Sequence, residues 1–340
     1  MRGFLFLLKF YIFFFVIAVT QSIHSQDPLF TQFYSNPIYL NPAFSGSNKC
    51  PRIVSNYRNQ WSGLSGNFIT TAIAYDQGSE FLNGGFGIML ISDQISNTLK
   101  TNEVSFSYAY HQNVSRNFVI NYGFQSTFIQ KSVDVSNLTF SDMIDSRRGF
   151  VFSTKDVVSG EPVNVLDFSA GIIGYSDKFY LGFSTHHLSE PSISFINNGF
   201  LSSEKNKLSR RYTFHGGTEI QLNKSSLNDD NSIKESFSPS FIYSKQGEFQ
   251  QLNLGVYYKR GIYIVGGWFR FHPAVLKLSS DSFILTLGIQ GKLIRIGYSY
   301  DFTTSELSFY SGGSNELSLA LKLYCKPKKK SIRAMSCPSF

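Results

Sequence analysis

The sequence predicts an all-β chain: a transmembrane antiparallel β-barrel of about fourteen strands, preceded by an irregular N-terminal segment that plugs the lumen or the rim. Three observations point there. From Arg52 to Tyr324 the chain repeats segments of about ten residues in which apolar and polar side chains alternate, each closed by a short break of Gly, Asn, Ser or Asp. The first 25 residues read as an export leader, and no later stretch approaches the roughly 18 apolar residues that mark a membrane helix. Aromatic residues make up 16% of the chain, with 34 Phe and 19 Tyr, and charged residues also only 16%, against roughly 25% in ordinary soluble domains.

Alternation gives each strand one apolar and one polar face, because strand side chains point to opposite sides with period two. Tyr212, Phe214, Ile220 and Leu222 share one face, against Thr213, His215, Glu219 and Gln221. Leu252, Leu254, Val256 and Tyr258 oppose Asn253, Gly255, Tyr257 and Lys259, and Leu317, Leu319, Leu321 and Leu323 oppose Ser318, Ala320 and Lys322. A soluble sandwich would alternate too. The composition favours a lipid-facing wall, which needs Phe, Leu, Ile and Val at its middle and Tyr or Trp at the headgroup levels. The mean hydropathy of −0.09 is compatible with that wall, since the lumenal half of every strand is polar.

The leader, residues 1–25, carries Arg2 and Lys9, then an apolar run from Phe10 to Val19 and small residues before a cut after Ser25. An uncleaved anchor is the other reading, as the run with its flanks approaches the length of a membrane helix.

Strands are expected near 52–61, 68–77, 84–92, 102–112, 117–130, 165–176, 178–188, 210–222, 236–246, 250–260, 262–272, 282–291, 292–302 and 315–324. An even number closes an antiparallel barrel with both termini at the periplasmic side, and each segment suits the roughly 9–11 residues of a tilted spanning strand. Connections after odd strands include the long ones, 131–164, 189–209 and 303–314, while most after even strands are tight turns. The connection 223–235 breaks that rule.

The formal charge of +8 includes Arg2, Lys9 and five cations of the tail, Lys326, Lys328, Lys329, Lys330 and Arg333. Without these the barrel is nearly neutral, so the charge offers no argument for nucleic acid. The tail, 325–340, is either a solvated end or a contact for anionic headgroups or an acidic periplasmic partner.

The three cysteines lack metal-site spacing. Cys50 precedes the first strand and Cys325 follows the last, so closure makes a Cys50–Cys325 bond across the seam sensible in an oxidising periplasm. Cys325 with Cys337, or free thiols, are the competing states.

Residues 26–51 hold Leu29, Phe30, Phe33, Tyr34, Ile38, Tyr39, Leu40 and Phe44, interrupted by Pro28, Pro37 and Pro42. The steps Asn36-Pro37 and Asn41-Pro42 favour turns and break ladders. So apolar a segment either enters the barrel or docks on a partner.

Gln26 to Ser47, followed by Tyr57-Arg58-Asn59-Gln60-Trp61 and a strand ending Ala74-Tyr75-Asp76-Gln77, resembles the opening of the PorP/SprF family of the Bacteroidetes type IX secretion system. Tyr180 to Pro191, Ile296 to Ser308 and Ser311 to Leu319 extend the likeness over nearly the whole mature chain. Asp27, Pro28, Asn36, Pro37, Asn41, Pro42, Arg58, Asn59, Gln60 and Trp61 are its signature positions, and the tail after Tyr324 departs from it. The resemblance implies an outer-membrane accessory that works with the secretion machinery and a secreted surface adhesin, in some members for gliding motility. It implies no catalytic residue, cofactor or small-molecule substrate.

An enzyme is not expected: His186 and His187, beside Glu190, are adjacent on a strand and should face opposite ways, one to the lumen and one to lipid. A general porin is the alternative, its pore lined by Asn56, Arg58, Gln60, His215, Glu219, Lys259, Arg270, Lys292, Arg295 and Asp301. Partner contacts are expected on the long loops, at Arg147, Arg148 and Phe150 and at Lys205 and Lys207.

Overall fold

The computed structural model describes residues 26–324 apart from 49, 65, 135, 137, 146, 153–160, 177, 196–206, 223–233, 275–276 and 305–311. The expected leader and basic tail therefore lie outside the described residues, as do Lys205 and Cys325.

Fourteen antiparallel strands form the wall. In chain order they are β1 (Arg52–Gln60), β2 (Phe68–Ser79), β3 (Gly84–Ile95), β4 (Leu99–Ser115), β5 (Phe118–Val133), β6 (Val163–Tyr175), β7 (Phe179–His186), β8 (Arg211–Thr218), β9 (Glu235–Gln246), β10 (Phe249–Arg260), β11 (Tyr263–Ala274), β12 (Lys277–Gln290), β13 (Ile294–Thr303) and β14 (Ser314–Lys322). A short continuation of β8, Ile220–Gln221, pairs with Phe237 and Ser236. Each strand pairs with the next, and β1 closes the ring on β14, with Val54 opposite Ala320 and Arg58 opposite Glu316. Closure removes the sheet edges that a membrane cannot satisfy.

The alternation sorts as its chemistry requires. Phe106, Phe124, Phe168, Phe214, Leu254, Phe269, Leu287 and Leu317 are exposed on the outer face, where neighbouring rings form ladders such as Phe124–Phe168 at 5.8 Å and Phe269–Phe283 at 5.0 Å. So continuous an apolar girdle is the lipid-facing surface of a spanning barrel. Many inward positions are small or polar, with Ser105, Thr127, Ser169, Ser184, Thr213, Asn253, Thr286, Ser299 and Ser318 all buried, and others are apolar, such as Ile173, Trp268 and Ile284. Lys292 departs from the expected lumenal set; it lies exposed in the short turn between β12 and β13.

The two rims differ. One carries the connections at 61–67, 134–162, 187–210 and 304–313; the other carries mostly tight turns, with the expected exception between Gln221 and Glu235. Arg52 and Lys322, the ends of the wall, meet at the short-turn rim. Residues 26–47 do not stay there. They run through the lumen, so that Asp27 reaches Gln246 and His187 at the long-loop rim. Residue 26 thus stands at the rim opposite the two ends of the wall.

Cys50 is disulfide-bonded, and Leu323 N donates to Pro51 O at 2.8 Å, bringing the two wall ends side by side. With three cysteines in the chain, alkylation of the unreduced protein is expected to label one thiol. Cys50→Ser should lower stability by roughly 2–4 kcal/mol, read as an earlier gel-mobility transition on heating.

Candidate functional site: a lumen filled by the chain's own N-terminal segment

The two Asn-Pro steps begin helical turns rather than simply breaking structure. Pro37–Leu40 forms a single helical turn and Pro42–Phe44 a 3-10 turn, each with Asn before the proline. Proline suits the first helical position because its absent N–H has no acceptor there anyway. Asn41 caps the second turn, its Oδ1 accepting from Ala43 N at 2.9 Å.

That same Asn41 binds the wall. Its Nδ2 donates to Ile172 O at 3.1 Å and Phe183 O at 3.2 Å and contacts His215 Nε2 at 3.1 Å. Asn121 Nδ2 donates to Ala43 O at 3.2 Å, and Ser184 Oγ to Leu40 O at 2.8 Å. The wall is recessed for this contact: a Cβ on Gly123 would collide with the Ala43 amide and Pro42, and one on Gly171 with the Asn41 side chain. Further on, Gly46 adopts φ +63° and packs on Gly85, and its N–H donates to Asp76 Oδ2 at 3.2 Å.

Apolar packing fills the intervening space. Phe33 meets Trp268 edge-on at 5.5 Å, Tyr34 lies tilted beside it at 6.1 Å, and Phe44 stacks over His215 at 5.5 Å. Phe30 and Ile38 join Ala72, Ala74, Met89 and Ile91 in a second cluster. The protein's hydrophobic core is therefore inside the barrel.

A buried charge network ties the segment to the seam. Arg58 pairs with Asp301 at 2.9 Å and Glu316 at 3.5 Å, and Arg270 pairs with Asp301 at 3.1 Å. Glu316 accepts from the amides of Thr31 at 2.5 Å and Gln32 at 3.2 Å, and the Thr31 hydroxyl donates to Asp301 at 2.9 Å. The carboxylates thus satisfy both the wall's arginines and the backbone of the segment.

At the long-loop rim, Asp27 pairs with Arg211 at 2.8 Å and His187 at 2.7 Å, while His187 Nδ1 meets Asp167 at 2.8 Å. His186 and His187 do not face opposite ways as expected; both are buried. The strand ends at His186, and His187 takes φ +60°, which turns its ring back to the lumen. Glu103, His186 and Tyr39 complete the lining of a small pocket around this cluster.

Burial alone would raise the Asp27 carboxyl, but the charges of His187 and Arg211 and the bonds from His187 and Gln246 outweigh it and hold it below the ordinary range. Burial opposes the charged imidazole of His187, yet Asp27 and the Asp167 bond raise it to about 10. The raised histidine contributes fully below its ordinary 6.5 and loses its contribution as pH rises through about 10. The depressed aspartate contributes above its ordinary 3.8 and loses its contribution as pH falls through the folded value below it. Protease protection of the first residues of the segment should accordingly hold between about pH 4 and 9 and weaken progressively beyond either limit.

The remaining signature positions are less central. Tyr39 OH donates to Pro28 O, Asn36 Nδ2 lies 3.8 Å from the Met89 sulfur, and Asn59 Oδ1 accepts from Asn67 Nδ2 at 3.1 Å. Gln60 ends β1, and Trp61 follows at φ +57°, its ring edge-on to Phe68 at 5.3 Å. Arg147, Arg148 and Phe150 stand exposed on a small hairpin of the long loop, its turn held by Asp145 accepting from the Arg147 and Arg148 amides. Lys207 is exposed and bridges to Ser192. These loop residues do not meet the lumenal cluster. Glu316, Asp167, Arg211 and Trp268 went unnoticed in the sequence, although the first three are inward-facing residues among small polar neighbours; Trp268 packs in the apolar cluster with Tyr257, Ile264 and Ile284.

A family model described as the type IX secretion system membrane protein PorP/SprF matches residues 22–321. The chain belongs to the PorP/SprF family. PorP/SprF membership associates this outer-membrane barrel with the type IX secretion machinery, as the N-terminal likeness implied. No curated protein matches the chain. Among solved structures, the chain is similar to the CymD monoaromatic hydrocarbon channel at 10% identity, covering 86% of this chain and 93% of that one, with a TM-score of 0.43. It is also similar to the outer membrane protein Omp33 of Acinetobacter baumannii at 7% identity, covering 82% and 100%, with a TM-score of 0.42. The KdgM porin shows 10% identity over 80% and 99%, with a TM-score of 0.34.

Proposed function

We propose that this PorP/SprF protein is an accessory of type IX secretion that assists the export or surface attachment of an adhesin-like partner, with gliding motility as one process it serves. The supporting observation is the lumen, filled from rim to rim by residues 26–47 through hydrogen bonds, ion pairs and aromatic packing. A general porin needs a wet continuous path, whereas here Arg58, Asn121, Ser184, His215, Asp301 and Glu316 of the wall hold the segment in the lumen. In this reading the long-loop rim faces outward, as in other outer-membrane barrels, and the exposed hairpin with Arg147, Arg148 and Phe150 meets the partner. The protein acts as a closed fixture on which secretion is organised.

The test is deletion of the gene followed by surface proteomics, with bilayer recordings of the purified protein. Loss of one surface adhesin, together with negligible conductance of the intact barrel, is the expected result. A large steady conductance with residues 26–47 present and an unchanged surface proteome would instead establish the porin.

A further inference from the structure

Charge is matched in one half of the lumen and unmatched in the other. Near the long-loop half, Arg58 and Arg270 are met by Asp301 and Glu316. At the short-turn rim, Arg52, Lys259, Arg295 and Lys322 take inward positions on β1, β10, β13 and β14, and Arg52 lies directly opposite Lys322 in the ladder. Like charges facing each other across a strand pair are destabilising. Only Arg52 has a close carboxylate, Asp76 at 2.8 Å. Among the described residues no carboxylate lies within 4.0 Å of Lys259, Arg295 or Lys322. Arg295 donates to the Tyr34 carbonyl at 3.3 Å, and Lys259 to the Gln290 amide oxygen at 3.2 Å; Glu219 is within electrostatic reach of Lys259 without pairing.

Three of these cations, Arg52, Arg295 and Lys322, line with Gln290 an open cleft between the plug residues Tyr34, Pro37 and Phe44 and the wall. We infer that this cleft is a binding site for an acidic segment of a partner protein, whose Asp or Glu carboxylates enter the mouth and pair with Arg295 and Lys322. Strand pleat decides between a peptide and a lipid: the four cations face the lumen, whereas headgroups lie against the outer face of the wall. The strand bearing Lys322 ends at this rim, and the sequence beyond it adds Lys326, Lys328, Lys329, Lys330 and Arg333, which strengthens attraction for an acidic visitor. This site goes beyond the export reading and stands or falls separately from it.

The test uses the full chain in phosphatidylcholine nanodiscs and a fluorescein-labelled oligoglutamate peptide followed by anisotropy. Binding is expected to weaken with added salt and to fall roughly tenfold or more in the Arg295→Gln/Lys322→Gln pair, with heat-modifiable gel mobility showing an intact barrel. Arg295→Glu/Lys322→Glu should reverse the preference toward oligolysine, a gain that misfolding cannot mimic. Wild-type affinity in the Gln pair overturns the site. So does binding that depends on residues 325–340 alone, and displacement of the peptide by phosphatidylglycerol in the nanodisc would assign the cleft to lipid instead.

Discussion

Glu316→Ala is expected to destabilise the barrel by about 3–5 kcal/mol, the usual consequence of leaving a buried charge without its partner. Glu316 is essentially inaccessible and serves Arg58, Asn56 and the amides of Thr31 and Gln32 at once. Its loss leaves the buried Arg58 and Arg270 to share the single carboxylate of Asp301 and strips two backbone donors of their acceptor. Arg260→Ala provides the contrast, because the Arg260–Glu235 pair sits at the surface with the arginine 62% exposed; such pairs are worth about 0–1 kcal/mol. Urea unfolding in detergent, followed by Trp fluorescence, should separate the two variants clearly. Similar midpoints for both would mean that the network contributes nothing beyond a surface pair.

Gly123→Val is expected to turn the closed barrel into a conducting one. The valine side chain would occupy the space of the Ala43 amide and Pro42, and overpacking of this kind costs about 1–3 kcal/mol. The 3-10 turn is less firmly held than the wall, so the turn is what moves. Asn41 then loses its partners on β6, β7 and β8, and a wet path opens along the polar lumenal face. Gly267→Val is the control: a Cβ there meets only Phe283, at 3.9 Å. Single-channel recordings should show steps for the first variant and none for the second. Silent traces from a folded Gly123→Val barrel would show that the segment is not what closes the lumen.

How much of this was legible in the sequence depends on periodicity. Leu252 to Lys259 and Leu317 to Lys322 revealed their faces directly, since period two is local. Strand count, closure and the asymmetry of the rims followed from counting such segments. The route of residues 26–47 has no period to follow, and its partners are remote: Thr31 meets Glu316 across 285 residues. Composition could say that so apolar a segment must be covered, but not by which glycines. His187 failed for a different reason. Strand alternation predicts the next side chain only while the strand continues, and a single left-handed residue ended it.

The lumenal passage also gives the molecule a mechanical character. Residue 26 lies at one rim and Tyr324 at the other, joined by a segment whose anchors on Glu316, Asn121, Ser184 and Asp76 are spread along the barrel axis. A pull on the segment from the long-loop side would load those anchors along its path through the lumen, and the first to yield would be the Asp27 cluster at the rim. Tension could then be passed from one face of the membrane to the other along a single strand of polypeptide, without a pore ever opening. In that sense the barrel resembles a grommet with its own cord already threaded through it.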